Sequence, residues 1–83
     1  MRDTMPISLL EAQIANGTIP FVSAVKFEDG FRIKIEPFNH PIECWLVNRQ
    51  GREILYKQPA RLFREMNKLK LKQFYVDLGI NQL

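Results

Sequence analysis

From Pro20 to Glu36 apolar and polar residues alternate: Phe21, Val25 and Phe27 fall on one side, and beyond Asp29-Gly30 the residues Phe31, Ile33 and Ile35 continue it. A period of two is that of a strand with one buried face, and Asp-Gly between two such runs is a strong hairpin signal. The opposite side carries Val22, Ala24, Lys26, Glu28, Arg32, Lys34 and Glu36, so it is expected to be largely wet. A second hairpin is predicted where Cys44-Trp45-Leu46-Val47 and Ile54-Leu55-Tyr56 flank Asn48-Arg49-Gln50-Gly51. Both of its sides are partly apolar, with Cys44 and Leu46 on one and Trp45 and Val47 on the other. Whichever set turns inward leaves the other outside. There Trp45 and Val47, near Val22 and Ala24, would form an apolar patch among basic residues.

At Pro59 the period changes. Proline suits the first helical position, and Leu62, Phe63, Met66 and Leu69 follow at i, i+1, i+4, i+7, with Arg61, Arg64, Glu65 and Lys68 left for water. Phe74, Val76 and Leu78 then alternate with Tyr75 and Asp77 and predict a closing strand. Ahead of the first hairpin, Ser8-Leu9-Leu10-Glu11 matches a capping box, Leu10 and Ile14 lie one turn apart, and Asn16-Gly17 is a helix stop. Residues 1–6 and 79–83 show no pattern and read as loose ends. Pro37-Phe38-Asn39-His40-Pro41 separates the hairpins as a loop, with Phe38 placed to fold back over the core. The elements give a single α+β domain over 1–83 in the order α-β-β-β-β-α-β. The expected fold is an antiparallel sheet of two hairpins with the main helix across one face. Phe27, Ile33, Ile35, Leu62, Phe63 and Met66 are its expected shared core.

An 83-residue chain supports one core with little to spare, a size at which a homodimer is a common remedy. No apolar run approaches the ~20 residues of a membrane span, and the start MRDTMPISLL has an early acid and too short an apolar stretch for a signal peptide. A cytoplasmic location without membrane contact is expected. The lone Cys44 cannot form an internal disulfide and reads as a small buried hydrophobe. His40, four residues away, lacks a third group to orient it as a base. One histidine and one cysteine fall short of a zinc site, and the four glycines sit singly rather than in a phosphate-binding loop. The carboxylates are mostly isolated between basic residues and read as surface charge. No catalytic residue, metal or cofactor is expected.

Charge changes the picture through its distribution. Residues 1–48 carry a net −2, residues 49–72 a net +6 and residues 73–83 a net −1. Within the basic stretch Arg49 and Arg52 bracket the second hairpin tip, and Arg61, Arg64 and Lys68 line the exposed side of the helix. Such a set fits a phosphate backbone of DNA or RNA, and the aromatics Trp45, Tyr56 and Tyr75 are candidates to stack on unpaired bases. The alternative is a protein-protein interaction or oligomerisation module with no nucleic-acid contact, the arginines being a solvated face.

Taken together, Asn16-Gly17-Thr18-Ile19-Pro20 after a short helix, Leu46-Val47 before Arg49-Gln50-Gly51-Arg52, and the closing Phe74-Tyr75-Val76-Asp77-Leu78 resemble small ParC-like, partition-associated proteins of plasmids and integrative elements. The resemblance spans most of residues 7–78 and departs from the family pattern at Leu71-Lys72, where a glycine is expected. It implies a non-enzymatic accessory role in the maintenance of such an element, with a partition or transfer protein as a further candidate partner.

Overall fold

The computed structural model describes residues 3–18, 20–36, 43–71 and 73–78. The chain runs β1 (Thr4–Pro6), α1 (Ile7–Ala15), β2 (Phe21–Phe27), β3 (Gly30–Glu36), β4 (Cys44–Val47), α2 (Pro59–Lys68) and β5 (Tyr75–Asp77). Its strands form one mixed sheet in the order β1-β4-β3-β2-β5. The α+β class and the order α-β-β-β-β-α-β hold. The fourth strand of that order is reduced to two bridges, Val47 with Glu53 and Phe31 with Tyr56. An additional strand, β1, stands in front: Thr4–Pro6, expected to be loose, pairs with β4 and buries Met5. The expected loose end 79–83 and the loop with Phe38 and His40 lie outside the described residues.

The β2–β3 and β3–β4 pairings are antiparallel, whereas β1–β4 and β2–β5 are parallel. A helix between two strands of one sheet returns the chain in its original direction, so the two helices are what turn an antiparallel centre into a mixed sheet. Both crossovers, β1-α1-β2 and β4-α2-β5, move three places the same way along the sheet. Such crossovers are right-handed almost without exception, which puts both helices on one face. The packing agrees, because Leu10 of α1 and Leu62 and Met66 of α2 share one core with Val22, Ala24, Ile33, Ile35 and Leu46. Among the described residues, no helix lies on the other face.

The first hairpin assigns its faces differently from the simple alternation. Its loop is Glu28-Asp29, and Gly30 already pairs with Phe27. Two loop residues shift the parity: Val22 faces Ile35 and Ala24 faces Ile33, so these four are the inward set. Phe21, Val25 and Phe27 accompany Arg32, Lys34 and Glu36 on the helix-free face. Phe27 is therefore half-buried outside the main core, contrary to expectation.

Helix α2 begins at Pro59 as predicted and buries Leu62 and Met66, with Leu69 just beyond its end. Phe63 was expected beside them but is 52% exposed. At 100° per residue, i, i+4 and i+7 make one stripe and the i+1 position turns to its flank. There Phe63 meets Phe74, with ring centroids 5.6 Å apart. In α1 the expected capping box is not made, because the chain enters the helix directly from β1 with Pro6 at the cap and no side-chain cap bond. Its C-terminus closes as expected, with the Gly17 amide donating to Ile14 and that of Thr18 to Gln13.

The end of α2 uses the same kind of turn without a glycine. Lys70 has φ 59°, and its amide donates to Asn67. A side chain in that left-handed region costs about 1–2 kcal/mol, and glycine gives back part of the gain through its freer unfolded state. Lys70→Gly is expected to stabilise the fold by about 0.5–1 kcal/mol, read as a higher urea midpoint at unchanged slope. A neutral or lower midpoint would show that the left-handed turn carries no strain to relieve.

Candidate functional site

The basic stretch is exposed where the sequence placed it. Arg61, Arg64 and Lys68, spaced i, i+3, i+7, fall within roughly 60° of one another around α2, on the side turned away from the sheet. Lys68 is 3.8 Å from Glu65 on its own helix. Arg49 and Arg52 are exposed at the tip after β4. That tip is held by Asn48, whose Oδ1 accepts from the amides of Gln50 and Arg52 while its carbonyl accepts from Gly51. Among the described residues, no ion pair occupies Arg49, Arg52, Arg61 or Arg64. Four guanidinium groups are thus available to an external anion.

The aromatic residues expected to join them do not. Tyr56 is 3% exposed in the core, where its backbone pairs with Phe31, and burial, helped by the Glu65 charge, pushes its hydroxyl pKa up. Trp45 and Tyr75 belong to the helix-free face, separated from the outer side of α2 by the sheet and the helix, on the order of 20 Å. A base could not stack on either ring while its phosphate met α2.

The helix-free face has its own organisation. Phe21 and Tyr75 stack at 4.5 Å with nearly parallel rings, and Phe27 meets Trp45 edge-on at 5.7 Å. Between them Val25 and Val47 are buried although they lie outside the main core. The patch around Trp45 and Val47 therefore neighbours Val25 and Phe27, not Val22 and Ala24. Its rim is balanced rather than basic. Arg32 lies over the Phe27 ring at 5.0 Å, holds Asp29 by two hydrogen bonds of 2.9 and 3.1 Å, and approaches Glu53 at 3.8 Å. Those bonds hold the Asp29 carboxyl below its usual pKa and raise that of Arg32. Lys34 stands 3.7 Å from Glu43 and 4.0 Å from Glu36. Among the described residues, Arg32 and Lys34 on this face are matched by four carboxylates. The sequence signal for this arrangement was present in the two-residue loop, which fixes which residues share a face, but the aromatic pairs join strands far apart in the chain.

Cys44 is half-buried against the core, and burial together with the Asp3 charge pushes its thiol pKa up, the opposite of an activated nucleophile. Among the described residues, no three His, Cys, Asp or Glu side chains gather where a metal ion could sit. No described helix is long and apolar enough to cross a membrane. A cleft of about 290 Å³ lies between the end of α1, the start of β2 and the α2–β5 connection, and its lining is mainly apolar with Lys70 at its edge.

The chain matches no protein-family model, curated protein or solved structure. The outer side of α2 and the tip after β4 carry Arg49, Arg52, Arg61 and Arg64 with no ion pair among the described residues, and the helix-free face carries aromatic surface with neutralised charge.

Proposed function

We propose that the protein is a non-enzymatic cytoplasmic binding module that meets DNA or RNA through its phosphate backbone, using the α2 stripe and the Arg49/Arg52 tip. Service to a plasmid or integrative element is the role that the resemblance suggests. The observation that carries the reading is the separation of charge: the cations on the outer side of α2 and at the tip are mostly unpaired, while those of the sheet face are neutralised by carboxylates. Contact through phosphates alone, with no base stacking, predicts low sequence selectivity and a steep dependence on salt.

Each phosphate contact contributes about 0.7–0.9 to the slope of log affinity against log salt concentration. Replacing Arg61, Arg64 and Lys68 together by alanine is expected to flatten that slope by about 2–3 and to weaken binding to single- and double-stranded DNA alike. Stability should change little, since all three are exposed. Titrations of labelled duplex and single strand at two salt concentrations check this. If the wild-type protein shows no salt-sensitive binding near physiological ionic strength, the reading fails. The Phe27–Trp45 and Phe21–Tyr75 pairs favour a second reading, a protein partner on the helix-free face, whose affinity would respond little to salt.

A further inference from the structure

Exposed apolar side chains on a small protein are usually scattered; here they are concentrated. Of the six large hydrophobic residues that are exposed among the described residues, Phe21, Phe63, Tyr75, Val76 and Leu78 lie on or beside β5, and only Leu9 lies elsewhere. They flank the strand on both sides of the sheet. On the helix-free side Tyr75 carries the stacked ring of Phe21. On the helix side Val76 joins Phe63, Phe74, Asn67 and Met66 around a shallow groove of about 280 Å³ between α2 and β5. β5 itself pairs with β2 along one edge, and its other edge has no strand partner among the described residues. The opposite edge of the sheet is protected differently: β1 is followed at once by its helix, ends in Pro6, which lacks an amide, and buries its one large apolar side chain, Met5.

We propose that β5 is a self-association edge, at which a second copy of this chain adds its own β5 antiparallel across a two-fold axis. The register that keeps the faces matched centres on Val76. Val76 then meets Val76 of the second copy on the helix side, and Tyr75 meets Asp77 of the second copy on the other. An axis perpendicular to the sheet makes the strands continuous and leaves both α2 helices on the same face, each Phe63–Phe74 pair closing against the other copy.

The area supports a second copy as the occupant. Aromatic side chains bury roughly 150–250 Å² each when covered, so the half-exposed rings of Phe63 and Tyr75 offer about 200 Å² together, and Val76 with Leu78 brings this to about 350 Å² per copy. Two copies reach about 700 Å² of apolar surface. The strand edge and its polar rim then carry the total past the ~1,000 Å² that marks a specific interface. A strand of only three residues supplies few hydrogen bonds, so these side chains must provide most of the affinity, which suits a dimer that forms and separates in the micromolar range. The inference stands on the apolar edge alone and does not depend on nucleic-acid binding.

Sedimentation velocity across micromolar to submillimolar concentrations tests it. The wild type should move from a mass near 9.8 kDa toward twice that. Val76→Lys, which sets two ammonium groups face to face, should raise the dissociation constant at least about tenfold, the order set by 1.4 kcal/mol or more of charge repulsion and lost contact. Tyr75→Glu, which sets a second carboxylate opposite Asp77 of the second copy on the other side of the same strand, should do the same. Leu9→Lys, at the exposed apolar residue away from the edge, should leave the dimer intact. Circular dichroism and melting of each variant at the lowest concentration show whether the monomer stays folded. A wild type that remains monomeric at all concentrations overturns the proposal, as does a dimer that survives both edge variants. A monomer that pairs only after residues 79–83 are removed would assign the groove to the chain's own tail and overturn it too.

Discussion

Gly30→Ala is expected to lower stability by about 3 kcal/mol, a large part of the roughly 4–12 kcal/mol a chain of this size commands. Two costs add at this position. Gly30 has φ 146°, a backbone conformation that side chains rarely adopt, and strain of that kind is worth about 1–3 kcal/mol. A Cβ built there would also lie 2.7 Å from the Tyr56 carbonyl oxygen and 3.0 Å from Leu55 Cδ1. The carbonyl cannot simply retreat, because it accepts the Phe31 amide at 2.8 Å while the Tyr56 amide donates back to Phe31 at 2.9 Å. Moving it would lift the 54–56 segment off β3 and open the pocket of the buried Tyr56 ring. Gly51→Ala is the control, since Gly51 also has positive φ, 80°, but no atom within 4 Å of its would-be Cβ. It is expected to lose only about 1 kcal/mol. Thermal melts should separate the two by roughly 8–16 °C, at 4–8 °C per kcal/mol for a domain this small. Equal losses would show that the Tyr56 contact does not constrain Gly30.

The second large effect is a contrast between neighbours. Leu62 is 1% exposed and packs in the main core, so Leu62→Ala is expected to cost about 2–5 kcal/mol through lost transfer energy and a residual cavity. Phe63 is the larger side chain, yet at 52% exposed and touching chiefly Phe74 it should lose about 1 kcal/mol or less on truncation at concentrations where the protein is monomeric. Denaturant melts of the two variants decide the register of α2. A rotation of the helix by one residue would reverse the order, so a Phe63→Ala loss larger than that of Leu62→Ala contradicts the packing described here.

Several features were legible in the chain because they depend on residues close together. Pro59 and the i, i+4, i+7 spacing of Leu62, Met66 and Leu69 fix where the main helix starts and what it buries. Asn48 and Gly51 fix a tight turn, and Asn16-Gly17 ends the first helix. The clustering of cations in residues 49–72 likewise belongs to the sequence, since exposed charge on a helix stays exposed wherever the helix docks.

Tertiary structure decided the rest. The alternation in the first hairpin was visible, and any two-residue loop, Glu28-Asp29 or Asp29-Gly30, sets Val22 and Ala24 rather than Phe21, Val25 and Phe27 on the side of Phe31, Ile33 and Ile35; which of the two faces the helices cover was decided by the crossovers. Phe63 has the hydrophobicity of a core residue and lies on the flank of the stripe, where only the position of β5 determines what it touches. Met5 is buried because β1 pairs in parallel with β4, some forty residues on, a contact without local signal. The apolar edge at β5 arises the same way: Phe21, Phe63 and Tyr75 are far apart in the chain and meet only because two crossovers of the same hand stack both helices on one face and leave β5 last in the sheet. Local spacing determines the elements and their charge. Which faces remain open is set by how strands distant in sequence are ordered.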